Sequence, residues 1–114
     1  MAGRVAFLIG NQTFLPERES GCLPLQGPAN DVAALAHVLR DPERGDFEVR
    51  EFLDKNNYEI LPVLERALHS ANSGDLFLIY YSGHGLIARN GELRLATRDT
   101  RTDAPRSSSI PSFI

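Results

Sequence analysis

A run of six apolar and aromatic residues that ends in a polar, glycine-rich segment constrains the fold of this sequence most strongly. The run covers residues 76–81 and leads directly into Ser82-Gly83-His84-Gly85. Since its apolar character is continuous rather than alternating, it predicts a strand buried on both faces. The segment RVAFLIG, residues 4–10, has the same character and stops at a Gly-Asn pair, so it predicts a second strand of this kind.

Two segments with helical spacing of apolar residues separate the predicted strands. The first, NDVAALAHVLRDP, has Asn30 or Asp31 available as its N-cap. The second, NYEILPVLERALHSA, has Asn56 or Asn57 available. Pro62 fits this second helix only if the helix begins late, because only the first-turn amides lack a partner that proline would remove.

The remaining segments complete an α/β pattern. Residues 47–53 predict a strand between the two helices, and strands that alternate with helices predict a parallel sheet with right-handed crossovers. The pair Asn90-Gly91 lies between two strand-like runs and predicts a hairpin with a two-residue turn. Residues 11–28 and 101–114 are predicted as loops, and a loop as long as the first usually carries function.

Polar residues follow the first and third predicted strands at their carboxyl ends. The carboxyl ends of parallel strands form one rim of the sheet, where ligands and catalytic groups gather. His84 stands between glycines, which allow a sharp turn and a close approach of a backbone amide, and its imidazole can exchange a proton near neutral pH. It is therefore a candidate general base. The alternative is a tight turn whose imidazole bonds to a loop carbonyl.

Composition excludes several functional classes. A net charge of -3 with scattered basic residues argues against a nucleic-acid partner, and no apolar run is long enough for a membrane span. The only cysteine, Cys22, forms no internal disulfide, which agrees with a reducing, cytoplasmic location. No set of His, Cys, Asp or Glu has metal-ligand spacing, so no metal and no cofactor is predicted. With 114 residues, the chain is predicted to form one domain, residues 1–114.

Four sequence blocks carry a resemblance to a known family. They are VAFLIGN, LQGPANDVAALAHVL, GDLFLIYYSGHG and GELRLATRDT, and they span residues 5–100. In this order they resemble the N-terminal, histidine-bearing part of the caspase-like cysteine peptidases (peptidase C14), which include caspases and metacaspases. The resemblance implies a three-layer caspase-like (caspase-haemoglobinase) fold, with a mostly parallel sheet, helices on both faces, and the C-terminal strands outside this sequence.

The resemblance also implies roles for four residues. His84 matches the catalytic histidine, and the backbone N–H of Gly85 matches an oxyanion-hole donor. Asp31 and Ser82 match positions that, in metacaspases, line the pocket for the residue before the cut bond, which implies cleavage after Arg or Lys. Asp31 has a second possible role, as a helix N-cap or first-turn acid, and the two roles do not exclude each other. Calcium activation occurs among metacaspases, although no segment here matches a calcium-binding loop.

The nucleophilic cysteine is the main departure from the family pattern. A spacing of about 50 residues after the histidine predicts it near position ~134, beyond Ile114. Cys22 lies in the loop after the first strand, and we interpret it as a structural or incidental surface cysteine, although that loop also ends at the rim beside His84. His37 and His69 are interpreted as surface residues without a catalytic role.

Two further features leave alternatives open. Asp99-Thr100 matches a family block that leads back to the rim, and a turn-forming aspartate explains it equally well. In the resembled fold, the third strand lies between the first strand and the strand that carries the cysteine. The resemblance therefore implies that the third strand has an unpaired apolar edge in this chain, and this edge is predicted to pair with a cysteine-bearing segment or with another chain.

Three hypotheses follow for the function. The preferred one is the histidine-bearing part of a cysteine endopeptidase that acts on a protein or peptide substrate and is inactive in isolation. The second is a catalytically inactive caspase-like module for protein–protein interaction. The third, a small-molecule or phosphate site on the rim, has little support, because neither a Walker motif nor a spaced Gly-x-Gly-x-x-Gly is present.

Overall fold

The computed structural model describes residues 3–112, which contain three helices and six strands. The helices are α1 (Glu17–Ser20), α2 (Pro28–Arg40) and α3 (Asn57–His69). The strands are β1 (Arg4–Gly10), β2 (Glu48–Leu53), β3 (Leu76–Ser82), β4 (Gly85–Ile87), β5 (Leu93–Ala96) and β6 (Ser109–Pro111). No helix in this part of the chain is long and apolar enough to cross a membrane.

The first three strands form a parallel sheet in the order β2-β1-β3. The central strand β1 is buried on both faces, as its continuous apolar character predicts. Ala6 and Leu8 face α2, whereas Phe7 and Ile9 face α3. The helix residues in these two clusters are Val32 and Ala36 of α2, and Ile60 and Leu64 of α3. Helices therefore cover both faces, and the predicted three-layer α/β fold is confirmed.

The helix α2 begins earlier than the sequence indicates. The N-cap position is Gly27, and Pro28 occupies the first helical position, so the prediction of Asn30 or Asp31 as N-cap is wrong. The physical reason is that proline has no N–H to leave unpaired in the first turn and its φ already suits a helix. Asp31 is therefore a first-turn acid, where the helix dipole favours a carboxylate.

The helix α3 contains Pro62 in its interior. Asn56 is the N-cap, as one of the two predicted alternatives, and its backbone N–H reaches Glu59 Oε1 at 3.4 Å. The helix thus begins five residues before Pro62, and the expectation of a late start is wrong. Proline removes the amide that would bond to the carbonyl of Tyr58, and solvent can reach that carbonyl because both residues are exposed.

A second, antiparallel sheet in the order β4-β5-β6 follows the parallel one. The predicted hairpin at Asn90-Gly91 is present, but its turn has three residues, 89–91. The amide of Ala88 donates to Glu92 O at 2.9 Å, that of Gly91 donates to Ala88 O at 2.9 Å, and Gly91 has φ +83°. A three-residue hairpin turn needs a left-handed residue at its last position, and glycine supplies it at no steric cost.

The tail, predicted as a loop, contains the strand β6. The buried guanidinium of Arg94 organises this segment: its Nη2 donates to Ser109 O and to Arg106 O, both at 2.8 Å. Ile110 then enters the core cluster beneath α3. The loop prediction for residues 101–114 is therefore wrong at residues 109–111, while residues 113–114 lie outside the described part of the chain. The loop prediction for residues 11–28 is wrong at Glu17–Ser20, which form the short helix α1, and at Pro28, where α2 begins.

Candidate active site

The two polar segments that follow β1 and β3 lie side by side on one rim of the parallel sheet. The backbone N–H of Asn11 donates to Ser82 O at 3.0 Å, which extends the β1–β3 pairing past the end of the sheet. Asn11 Nδ2 also donates to Ala96 O at 3.2 Å, while its buried Oδ1 has no hydrogen-bond partner. The segments that follow β1 and β3, the second of which contains His84, thus lie at the same edge of the parallel sheet, as the sequence predicts.

The imidazole of His84 is half-buried and is held by main-chain and aromatic contacts from the loop after β1. Its Nε2 lies 2.8 Å from the carbonyl oxygen of Leu23, and its ring meets the ring of Phe14 edge-on with centroids 5.2 Å apart. Because a carbonyl oxygen can only accept a hydrogen bond, Nε2 carries the proton. The bond to a loop carbonyl, predicted from the sequence as the alternative to a general base, is therefore present. It is compatible with a role as a base, because Nδ1 of the neutral imidazole keeps its lone pair.

The loop that supplies the Leu23 carbonyl is fixed by four further hydrogen bonds. The carboxylate Oδ1 of Asp54 accepts the amides of Gln12 at 2.7 Å and Thr13 at 3.0 Å. Gln12 Oε1 accepts the amide of Ala29 in the first turn of α2 at 2.8 Å. The amide of Leu25 donates to Gln12 O at 2.8 Å. These hydrogen bonds connect the loop to α2 and to Asp54, the residue after β2, so they hold the Leu23 carbonyl in a fixed position.

The backbone amide of Gly85 points away from the antiparallel sheet. Along the β4–β5 ladder, Ala96 N donates to His84 O and Ala88 N donates to Glu92 O, so the hydrogen-bonded positions of β4 are the even-numbered ones. Gly85 is at an odd-numbered position, and its N–H is directed away from β5. An amide in this position can serve as the donor that the family resemblance implies.

Asp31 and Ser82 are in direct contact across the rim. The hydroxyl of Ser82 donates to Asp31 Oδ2 at 3.1 Å, although the two residues lie 51 positions apart in the chain. Asp31 is exposed, so its carboxylate keeps one oxygen free for a cation from solvent. The structure thus brings together the two residues that the resemblance pairs in one pocket.

Cys22 is a buried residue rather than a surface one. It is 2% exposed, and its thiol donates to Ser20 O at 3.5 Å. Burial raises the pKa of the Cys22 thiol, although the side-chain hydrogen bond with Ser20 acts in the opposite direction. A protonated, buried thiol is a poor nucleophile, so the structural interpretation of Cys22 fits and its placement at the surface is wrong.

The other residues singled out in the sequence lie away from the rim or have structural contacts. His37 and His69 are exposed on α2 and α3. Asp99 Oδ1 accepts the amide of Asn57, the first residue of α3, at 2.9 Å and the hydroxyl of Thr97 at 2.6 Å. Thr100 is buried, and its Oγ1 accepts the Thr97 amide at 2.7 Å. Asp99-Thr100 therefore forms a turn that supports the start of α3.

Several residues of the site carry no signal that sequence reasoning could use. The Leu23 contact is made by a main-chain carbonyl, which any residue could provide. Phe14 and Asp54 are isolated in polar segments without periodicity. A signal does exist for Tyr81, whose hydroxyl contacts His84 O at 2.9 Å. It is the last aromatic residue before the glycine-rich segment that contains His84. Within residues 3–112, no group of three or more His, Cys, Asp or Glu side chains could hold a metal ion.

Comparison with known families agrees with this geometry. The model of the caspase domain, peptidase family C14, matches residues 3–104. This chain belongs to the caspase domain family. The caspase domain chain is also similar to the protein named mucosa-associated lymphoid tissue lymphoma translocation protein 1 in Homo sapiens and to its homolog in Mus musculus. Each is 34% identical over 82 residues, which is 72% of this chain and 9% of the relative. The chain thus spans a small part of the length of these relatives.

Proposed function

We propose that this caspase domain chain is the histidine-bearing part of a cysteine-type endopeptidase that cleaves after Arg or Lys. The observation that carries the proposal is the contact between His84 Nε2 and Leu23 O at 2.8 Å. It puts the ring proton on Nε2 and leaves Nδ1 as the basic nitrogen on the rim. The nucleophilic sulfur comes from a cysteine other than Cys22, whose thiol is buried and bonded to Ser20 O.

The proposed chemistry assigns each step to a group of the site. Nδ1 of His84 accepts the thiol proton, and the thiolate attacks the scissile carbonyl carbon. The N–H of Gly85 donates to the oxyanion that forms. Nδ1–H of His84 then protonates the leaving amine as the C–N bond breaks, which leaves an acyl-enzyme for water to hydrolyse. Without an accessible thiol, the isolated chain has no nucleophile and is inactive.

The Asp31–Ser82 pair supports the basic cleavage preference. An exposed carboxylate that already accepts one hydroxyl at 3.1 Å has a second oxygen for a guanidinium or ammonium group. An acidic substrate side chain would face like charge there. A substrate with Arg or Lys before the cut bond is therefore the one whose charge complements this pocket.

Peptide cleavage assays test the proposal. The assay protein is the chain produced with whatever residues its gene encodes after Ile114, or mixed with the cysteine-bearing polypeptide. Reporter peptides with Arg, Lys, Asp or Ala before the cut bond should be cleaved only in the first two cases. Cleavage after Asp with none after Arg would contradict the specificity, and the assay with and without Ca²⁺ tests calcium activation. Cleavage by the isolated chain that Cys22→Ala abolishes would identify Cys22 as the nucleophile instead.

Asp31→Asn isolates the specificity pocket. It should lower kcat/KM for the Arg reporter by about tenfold, since it removes an interaction of the order of 1.4 kcal/mol with a charged partner. Glu65→Gln is the matched control, because Glu65 is exposed on α3 and makes no side-chain hydrogen bond within the described residues. If Asp31→Asn and Glu65→Gln change kcat/KM for the Arg reporter equally, Asp31 does not contribute to the specificity pocket.

A protein–protein interaction module is the second candidate, and the open edge of β3 favours it. Among the described strands, β3 pairs only with β1, and its Leu76 and Ile79 side chains are 51% and 42% exposed. An unpaired apolar strand edge is a template for another chain. If the assay protein is inactive but elutes as a dimer or complex, and the β3 amides are protected from hydrogen exchange in it, this candidate replaces the first.

A further inference from the structure

The hydroxyl of Tyr81 contacts two main-chain carbonyl groups at the rim. Its Oη lies 2.9 Å from His84 O and 2.6 Å from Ala96 O. Because a phenol has one proton and both partners are acceptors, the two carbonyl groups share this donor in a three-centre hydrogen bond. Tyr81 is at the end of β3, and Ala96 is the last residue of β5, so this one hydroxyl joins the parallel sheet to the antiparallel sheet. The peptide group that it contacts belongs to the candidate catalytic base.

The segment between Tyr81 and His84 is wrapped closely around this hydroxyl. A Cβ atom built on Gly83 would overlap the Tyr81 Oη and lie 2.8 Å from the ring atom Cζ. Real Cβ atoms essentially never come within 3.0 Å of another heavy atom, so a side chain at Gly83 would force the ring of Tyr81 to shift. The absence of a side chain at Gly83 is therefore a condition for the ring of Tyr81 to reach under the loop.

Neither carbonyl depends on Tyr81 for its only hydrogen bond. His84 O also accepts the amide of Ala96 at 2.9 Å, and Ala96 O also accepts Nδ2 of Asn11 at 3.2 Å. Removal of the hydroxyl would thus leave no buried carbonyl unpaired, which is the situation that makes a lost hydrogen bond costly. What the hydroxyl adds is a fixed position of the His84 peptide relative to both sheets.

We propose that Tyr81 is a positioning residue for His84, which it holds through the His84 and Ala96 carbonyls so that the imidazole meets Leu23 O and presents Nδ1 to the rim. This inference rests on the proposed peptidase function for its catalytic consequence. Its structural part, the orientation of the ring, is independent of that function and has a test of its own.

Kinetics of the assay protein test the catalytic part. Tyr81→Phe should lower kcat for the Arg reporter by about 10- to 100-fold with little change in KM, because a displacement of the base by a fraction of an ångström acts on the reaction and not on substrate binding. Tyr80→Phe is the matched control. Its side chain packs on the α2 face of the same strand, and its hydroxyl makes no hydrogen bond within the described residues. Equal kcat values for the wild type and Tyr81→Phe would overturn the catalytic part.

Nuclear magnetic resonance of the His84 ring tests the structural part in the 114-residue chain, even if no peptidase activity is found. The ring ¹⁵N shifts of the wild type should show one tautomer, protonated at Nε2, with His37→Gln and His69→Gln used for assignment. Tyr81→Phe should convert this signature to a mixture of tautomers, whereas Tyr80→Phe should leave it unchanged. Inactivity of every protein with the predicted ring signatures would reject the peptidase function but retain the positioning role.

Gly83→Ala provides a second route to the same displacement if Tyr81→Phe fails to fold. It keeps the phenol but puts a methyl group where the hydroxyl lies, so it should reproduce the mixed tautomer signature. An unchanged His84 ring signature in Tyr81→Phe would overturn the proposal. The proposal would also be overturned if Tyr81→Phe and Gly83→Ala both unfold while Tyr80→Phe folds. The hydroxyl would then support the fold as a whole and not the orientation of His84.

Discussion

The imidazole Nε2 of His84 lies 2.8 Å from the carbonyl oxygen of Leu23, 61 residues earlier in the chain. This contact fixes the tautomer of His84, and it exists only because the loop after β1 folds back over the rim. Asp54, just after β2, holds the start of that loop through the amides of Gln12 and Thr13. The orientation of the candidate base is therefore set by groups on three segments that are distant in sequence.

Asp54→Ala should destabilise the folded chain. The carboxylate accepts two backbone amides at 2.7 and 3.0 Å, and the amide of the half-buried Gln12 would lose its acceptor. An unsatisfied group of this kind costs about 1–3 kcal/mol, which urea unfolding measures. In the assay protein, the same variant should lower kcat, because the Leu23 carbonyl is no longer held in place.

Asp46→Ala is the matched control for Asp54→Ala. Both aspartates have a left-handed backbone, with φ of 55° at Asp46 and 52° at Asp54, so alanine brings the same backbone strain at either position. The side chain of Asp46 makes no hydrogen bond within the described residues. If the two variants lose the same stability, the account of Asp54 as the anchor of the loop is wrong.

Stability should fall at alkaline pH because two buried groups resist ionisation. Burial raises the pKa of Tyr81 and of Cys22 above their ordinary values of 10.0 and 9.0. Between the unfolded and folded pKa values, the folded chain binds more protons, so this stability is complete below pH 9 and declines as the pH rises further. For Tyr81 the decline reaches about 1.4 kcal/mol per pH unit.

Urea unfolding between neutral pH and pH 10.5, on the order of half a unit above the ordinary tyrosine pKa, measures this decline. Tyr81→Phe should reduce the decline and leave the part that Cys22 contributes. Tyr58→Phe is the control, because that side chain is 66% exposed and its phenol remains in contact with water in both states. A decline of the same steepness in Tyr81→Phe would show that other groups cause it.

Cys22 should be inert in the folded chain. Its thiol is 2% exposed and its pKa is raised by burial, so thiol reagents should modify it much more slowly in the native state than after denaturation. Cys22→Ala should leave peptide cleavage by the assay protein unchanged. Rapid native modification, together with loss of cleavage in Cys22→Ala at an unchanged melting temperature, would contradict this role.

Asp99→Ala should weaken the start of α3. Asp99 Oδ1 accepts the amide of the first helical residue, Asn57, at 2.9 Å, and loss of such a capping contact costs about 0.5–2 kcal/mol. Asp103→Ala is the control, because that carboxylate pairs with Arg101 at the surface and contacts no helix end. Comparable losses in the two urea titrations would argue against the capping role of Asp99.

Local sequence pattern was sufficient to predict the parallel sheet and its two long helices. The continuous apolar run of β1 predicts a strand buried on both faces, and β1 is buried in this way. The same prediction for residues 76–81 is right about the strand but wrong about its burial, because no residue of β3 is fully buried and Leu76 and Ile79 are 51% and 42% exposed. The strand β6 could not be predicted in this way. It has a single apolar residue in its core contact, Ile110, and its pairing depends on the buried Arg94 fifteen residues away. No local window contains that information.

The candidate site was predicted in part for a similar reason. The sequence specifies the chemical type of each side chain, so His84 and the Asp31–Ser82 pair could be identified from their residue types and from a family resemblance. The Leu23 carbonyl could not, because every residue has one and only the folded loop selects it. The burial of Cys22 likewise results from the short helix α1 and the turn at Gly21, which lie in a segment without periodicity.

Turnover of an Arg-terminated reporter peptide by His84→Ala and His37→Ala variants of the assay protein tests the central claim most directly. His37 is the control because it is an exposed histidine on α2, away from the rim. The account predicts that His84→Ala loses about 10²- to 10⁴-fold in kcat, the usual contribution of a general acid and base, while His37→Ala matches the wild type. Cleavage by His84→Ala at the wild-type rate would contradict it.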